Sequence, residues 1–226
     1  MKEIKRLRVI ADLVVGENEL VVDIGADHGY LSKMLIEENK TKKVIATDIS
    51  KLSLQKTIDL AEKYQLQEKI ETRVGDGLNP VCRENIDFAI IAGMGGYEII
   101  KILSQSEARV KKYILQPSKN QNVIELRNFL VDNGYYIETD FVIYDKKRFY
   151  NTICCYKNCV QQKLGFKEIE FGLTNFDLKS EDFLLYLQEY VEKKKEVLNK
   201  YPNHKDNEIK IKEALDIINK LYLKKW

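Results

Sequence analysis

The sequence predicts an α/β fold: a Rossmann-like, doubly wound, mostly parallel sheet of seven strands, followed by an antiparallel helical hairpin of coiled-coil type. Three observations carry that reading. Five short apolar runs alternate with amphipathic stretches up to about residue 133, and buried apolar strands separated by helices form parallel sheets covered on both faces. Two further runs, 135–144 and 148–157, are rich in Tyr, Ile, Val, Phe and Thr and are joined by Asp145-Lys146-Lys147, which reads as an antiparallel hairpin closing the sheet. From about residue 180 the strand pattern stops and apolar residues recur at spacings of three and four, the period of a helix.

In chain order, Ile4, Leu7, Ile10, Leu13 and Val14 predict a helix over 4–15. The strands are expected at Leu20–Ile24, Val44–Thr47, Ile70–Val74, Phe88–Ala92 and Tyr113–Leu115, with helices between them at 29–38, 51–64, 97–107 and 120–133. Asn133-Gly134 marks the change to the hairpin. Residues 158–178 carry no readable period. Leu184, Leu187, Val191, Leu198 and Tyr201 then share one helix face, interrupted by Lys194, and Tyr201-Pro202-Asn203 ends that helix. Ile211, Leu215, Ile218 and Tyr222 repeat the pattern. The expected units are 1–160, the sheet with its site, and 161–226, the helical appendage.

Composition narrows the function classes. The net charge is +2, too small to make the whole chain a strong polyanion binder. The excess falls after residue 178, and Lys2, Lys5, Arg6 and Arg8 form a local basic cluster against Glu3. No apolar run approaches the ~20 residues of a membrane span, and the charged N-terminus is unlike a secretory signal. Cys82, Cys154, Cys155 and Cys159 include no C-x-x-C pair, and histidines number two. A disulfide framework and a metal centre are therefore not expected, the expected location is the cytoplasm, and nothing calls for an obligate protein partner.

The sharpest motif is Val21-Val22-Asp23-Ile24-Gly25-Ala26-Asp27-His28-Gly29-Tyr30-Leu31. A strand enters a glycine turn that opens a helix, as in a nucleotide fold. In a dinucleotide site the middle glycine lets backbone approach a pyrophosphate; here Asp27 stands there. A carboxylate repels phosphate and suits a ligand with a cationic near end, such as S-adenosylmethionine with its ammonium and sulfonium. The remaining strand ends agree. Asp48, followed by Ile49, is placed to accept from a ribose diol; Gly75-Asp76-Gly77 places a carboxylate for an adenine amine; and Gly93-Met94-Gly95-Gly96 lets backbone approach a flat acceptor. Each feature alone also has a plainer use, as a helix cap or a tight turn. Four of them at four consecutive strand ends outline one bound molecule and its acceptor.

Asp-Ile-Gly-Ala-Asp-His-Gly-Tyr-Leu (23–31), Gly-Asp-Gly-Leu (75–78), Ile-Ala-Gly-Met-Gly-Gly (91–96) and Leu-Gln-Pro (115–117) occur in this order. In that combination, and in element order over nearly the whole length, the chain resembles the bacterial tRNA (adenine(22)-N(1))-methyltransferase family. The resemblance implies a Rossmann-like methyltransferase that uses S-adenosylmethionine to methylate N1 of an adenine in the D-arm region of tRNA. Ser118, where Asn is common, and Tyr150-Asn151, where Tyr-Glu is usual, depart from the family pattern, so no role is carried onto Ser118 or Asn151.

These readings assign methyl-donor binding to Asp23, Gly25, Asp27, His28, Gly29, Asp48, Ile49, Gly75, Asp76, Gly77, Gly93 and Met94. Adenine N1 has an in-plane lone pair and is blocked when paired, so the base must be unpaired or swung into the pocket. Direct in-line displacement at the methyl carbon then needs positioning more than acid–base chemistry. Carbonyls of the Gly93–Gly95 loop and the Asp27 carboxylate are the candidates for stabilising the developing cation. Lys5, Arg6, Arg8, Lys193 and Lys194 are the candidate phosphate contacts. Three other readings stay open: a methyltransferase acting on another RNA, a protein or a small molecule; a nicotinamide-dependent oxidoreductase; and a catalytically silent RNA-binding module.

Overall fold

The computed structural model describes residues 4–118, 122–158, 160–201 and 205–223. Cys159, Lys2 and the expected turn residues Pro202 and Asn203 lie outside them. The first half alternates α1 (Lys5–Leu13), β1 (Leu20–Ile24), α2 (Tyr30–Glu37), β2 (Lys43–Asp48), α3 (Lys51–Lys63), β3 (Ile70–Val74), β4 (Asn85–Ala92), α4 (Gly96–Gln105), β5 (Arg109–Gln116) and α5 (Val123–Asp132). There follow β6 (Tyr135–Asp145), β7 (Arg148–Lys157), the short α6 (Phe166–Phe171) and α7 (Asn175–Leu178), and the long α8 (Glu181–Lys200) and α9 (Lys205–Ile218).

The sheet has seven strands in the order β3-β2-β1-β4-β5-β7-β6. β1 to β5 are mutually parallel, and β7 runs antiparallel to β5 and β6. β1 is buried along its whole length, as a central parallel strand covered on both faces must be. Its alternate residues feed two cores: Val22 and Ile24 pack with Ile99, Ile102 and Leu126 on one face, and Val21 packs with Leu7, Ile10, Leu31 and Leu35 on the other. β4 and β5 begin three or four residues earlier than their apolar runs, because their first residues pair at the sheet's rim, where polar side chains reach water.

The β6–β7 turn is made by Lys146 (φ 48°) and Lys147 (φ 64°). Positive φ at both central residues is the two-residue turn that matches strand twist, here made without glycine. The stretch without a readable period contains α6 and α7, too short to show one. It covers the edge of β6: Asp140 N–H donates to Thr174 Oγ1 at 3.0 Å and Val142 N–H to Asn175 Oδ1 at 3.0 Å, which closes an edge otherwise open to pairing. The helical hairpin packs on the same end of the sheet through a third core of Val142, Phe149, Phe171, Phe183, Leu187, Val191, Ala214 and Ile217.

Candidate functional site

The register sets Ile24 beside Thr47 and Ile91, and Ala92 beside Gln116. The carboxyl ends of β1, β2, β4 and β5 are therefore level, and the loops leaving them share one edge, where ligands bind in such sheets. A cleft of about 280 Å³ opens there, lined by Ile24, Gly25, Thr47, Asp48, Ile49, Gly75, Asp76, Gly77, Met94, Glu98, Lys101 and Ile102.

Three glycines make the walls close. Gly25 (φ +72°) carries no Cβ where the Met94 Cε would lie 2.3 Å away, and Gly77 (φ +55°) sits against Ile102. A Cβ at Gly75 would fall 2.4 Å from Pro80. Asp48 ends β2 with Oδ1 accepting from Ser50 N–H at 2.7 Å, so one oxygen braces the turn into α3 and the other is left for a ligand. Asp76 lies 3.5 Å from the Lys101 ammonium. Gly25 and Ala26 N–H both donate to Thr47 O, at 2.7 and 3.2 Å. Those two amides are consumed by the sheet and are not turned outward for a pyrophosphate.

Of the residues assigned from sequence, Gly25, Asp48, Ile49, Gly75, Asp76, Gly77 and Met94 line the cleft. Asp23, Asp27, His28, Gly29 and Gly93 stand around it without lining it. Asp23 is buried and accepts from Ser32 Oγ at 2.9 Å. Burial pushes its carboxyl up to about 6, against the Ser32 hydroxyl and the Arg6 charge, which pull it down. Asp27 is exposed and ion-paired with Lys56 Nζ at 2.9 Å, with His28 Nε2 3.6 Å away. The glycine loop is thus less anionic than its sequence implies, since a cation from α3 balances Asp27. His28 takes φ 68° and stacks on Tyr30, ring centroids 5.6 Å apart.

The Gly93–Gly95 loop is also less open than its sequence implies. Gly95 is not a free backbone wall: its N–H donates to Glu98 Oε2 at 2.7 Å and its carbonyl accepts from Ile99, capping α4. The Met94 carbonyl accepts from Ser118 N–H at 2.8 Å. Gly93, with φ +86° and open space where a Cβ would stand, keeps the approachable backbone. Ile24, Thr47, Glu98, Lys101 and Ile102 also line the cleft and were not among the residues assigned from sequence. Glu98, Lys101 and Ile102 reach the cleft from one face of α4, and only the packing of that helix shows which face it is.

The basic candidates do not form one patch. Lys5 pairs with Asp182 at 2.6 Å. Arg8 is held by Glu38 and, at 2.7 Å, by Asp12. Arg6 turns inward, with Nη1 3.5 Å from Gln116 Oε1 and its guanidinium 5.8 Å from the Tyr150 ring centroid. Lys193 pairs with Glu189, and Lys194 lies 5.3 Å from the Tyr190 ring centroid. Asn151, left without a role above, accepts from the buried Arg127 at 2.8 Å. Among the described residues there is no cluster of three or more His, Cys, Asp or Glu that could hold a metal ion. No described helix is long and apolar enough to cross a membrane.

Residues 4–153 match a family described as a methyltransferase domain. A provisionally named tRNA methyltransferase of Mycoplasma genitalium is 38% identical over 149 residues, 65% of this chain and 66% of that protein. The tRNA (adenine(22)-N(1))-methyltransferase of Bacillus subtilis is 28% identical over 156 residues, 68% of this chain and 64% of that protein. Both alignments span slightly under two thirds of the relative's own length. A solved structure from Streptococcus pneumoniae, described provisionally as a tRNA (m1A22) methyltransferase and holding S-adenosyl-L-methionine, superposes with a TM-score of 0.84 at 30% identity, over 93% of this chain and 98% of that one. With its sheet order, its glycine-walled cleft and these matches, the chain belongs to the tRNA (adenine(22)-N(1))-methyltransferase family.

Proposed function

We propose that this protein transfers a methyl group from S-adenosylmethionine to N1 of an adenine in tRNA, at position 22 by its family membership. The observation that carries the reading is the cleft itself: acceptor carboxylates at the ends of β2 and β3, with the first-loop amides committed to Thr47. That arrangement suits a nucleoside with a cationic tail and takes the Gly25 and Ala26 amides away from a diphosphate, which disfavours the oxidoreductase reading.

The residues present fit such a donor. Asp48 offers a carboxylate oxygen to a ribose diol. Ile49 and Ile102 supply apolar surface for a purine, with the Asp76 carboxylate at its edge. Asp27 faces the cationic end of the donor, which replaces Lys56 as its partner. When bound, S-adenosylmethionine supplies a sulfonium methyl, which the adenine N1 lone pair takes while the S–CH3 electrons stay on sulfur. Neutral N1 has no proton to lose, so no general base is required, and His28 needs no proton-transfer role. What the chain provides is alignment and an acceptor-rich wall, the open Gly93 backbone foremost, that favours positive charge developing on the base. Residues 1–160 form the catalytic unit in this reading, the hairpin of 161–226 helps hold the tRNA, and the enzyme works in the cytoplasm with its substrate.

The test is incubation with unmodified tRNA and methyl-labelled donor, followed by nucleoside analysis. Label in 1-methyladenosine is the expected result. Label in N6-methyladenosine would overturn the N1 assignment and leave the donor assignment standing; transfer to protein or small molecules alone would overturn the tRNA assignment.

A further inference from the structure

We infer that the groove between the β6–β7 turn and α8 is a built RNA-backbone site that holds single-stranded tRNA next to the nucleotide being methylated. This rests on the tRNA reading above and assigns that reading a place on the surface. The groove, about 470 Å³, is lined by Lys147, Arg148, Phe149, Tyr186, Glu189, Tyr190 and Lys193.

Topology puts it on the correct edge. β7 is antiparallel to β5, with Ile153 beside Leu115, so the start of β7 points the same way as the carboxyl ends of the parallel strands. Gln116 reaches Thr152 at the end of β5, and Lys147 lies five residues beyond Thr152. At ~3.3 Å per residue the turn projects about 16 Å past the level of the cleft, within the span of a few nucleotides.

Charge and shape favour a nucleic acid. Among the described residues Lys146, Lys147 and Arg148 have no carboxylate within ion-pair distance, unlike Lys5 and Arg8. Against these cations the groove sets one acid, Glu189, already paired with Lys193. The two-residue turn, with positive φ at both Lys146 and Lys147, fixes where these cations leave the sheet. The floor is aromatic and braced: Phe149 and Tyr186 meet edge to face at 5.3 Å, Tyr190 meets Phe171 at 5.2 Å, and the Tyr190 hydroxyl donates to Glu170 at 2.5 Å. Cations flanking fixed aromatic rings are how proteins hold single strands without reading their sequence.

The experiment compares the full-length wild type with the Lys147→Ala/Arg148→Ala double variant, and with Lys42→Ala at the opposite edge as control. Three quantities are measured: affinity for unmodified tRNA across a salt series, affinity for S-adenosylhomocysteine, and methyl transfer. For the double variant the expected result is a tRNA affinity lower by about tenfold or more, a salt slope reduced by about 1.4 as two single-strand phosphate contacts are lost, and unchanged S-adenosylhomocysteine affinity. Lys42→Ala should match the wild type throughout. Wild-type tRNA affinity and slope in the double variant would overturn the groove and leave the function standing. A wild type that binds tRNA through this groove but transfers no methyl to it would overturn the function and leave the groove. A wild type that binds no tRNA would overturn both.

Discussion

Gly25 and Met94 are packed so closely that the Met94 Cε occupies the place of an absent side chain, 2.3 Å from where a Cβ on Gly25 would stand. The first and fourth strand loops therefore shape one another at the floor of the cleft.

Gly25→Ala follows from that contact. Because the Met94 tip is flexible it would swing away, and the cleft is the open space beside it. The left-handed backbone at +72° adds ~1–2 kcal/mol of strain. The expected outcome is a folded protein, modestly less stable, with donor affinity lower by about tenfold or more (~1.4 kcal/mol per tenfold). Calorimetric titration with S-adenosylhomocysteine checks it; an unchanged dissociation constant would separate Met94 from the donor site.

Asp23 makes stability depend on pH. Its carboxyl is raised from 3.8 to about 6 by burial. Below pH 3.8 it is protonated in both folded and unfolded chains and contributes nothing to the pH dependence. Between 3.8 and about 6 the unfolded chain ionises first, so stability falls as pH rises; above about 6 the penalty is complete. At 1.36 kcal/mol per pH unit the shift corresponds to roughly 3 kcal/mol. Asp23→Asn should therefore raise the melting temperature at pH 7.5 more than at pH 4, and a pH-independent difference would show that Asp23 does not titrate this way.

Lys56 and Asp27 offer a charge test of donor orientation. Lys56→Gln removes the cation that pairs with Asp27. If Asp27 faces the sulfonium end, the variant should favour S-adenosylmethionine over neutral-sulfur S-adenosylhomocysteine by a few-fold more than the wild type does, and Asp27→Asn should shift the ratio the other way. Equal ratios in all three proteins would take Asp27 away from the donor.

The Arg127–Asp140 pair holds the hairpin end of the sheet. Both side chains are fully buried, Nε to Oδ2 is 2.6 Å, and Nη1 donates to the Ile169 and Glu170 carbonyls. Arg127→Met leaves Asp140 buried without its partner, a loss of about 3–5 kcal/mol. Thermal or urea denaturation should show it, while donor affinity of the folded fraction stays near wild type because the pair is remote from the cleft lining.

Seven of the cleft-lining residues were readable in the sequence because a Rossmann-type strand end is a local pattern: an apolar run, then glycine and acid. Ile49 and Met94 came with the same turns. Glu98, Lys101 and Ile102 were not readable, since a helix residue carries no local sign of which neighbouring strand end it leans over, and Ile24 and Thr47 read only as strand residues. The β6–β7 turn was legible only from its flanking strands; Lys146-Lys147 carries none of the glycine chemistry that usually marks such a turn. The span 158–178 stayed opaque because α6 and α7 are shorter than the window over which a helical period shows.

By itself the sequence determined the strand–helix alternation, the hairpin, the paired C-terminal helices and the acids at the strand ends, because hydrophobic period and turn chemistry act over neighbouring residues. The tertiary structure alone decided how charges were shared: Lys56 onto Asp27, Asp182 onto Lys5, Glu38 and Asp12 onto Arg8. Coulomb interaction depends on distance in space, and composition carries no record of which opposite charges the fold brings within 4 Å. For the same reason composition could not show that Lys146, Lys147 and Arg148, at the β6–β7 turn, have no carboxylate within ion-pair distance among the described residues.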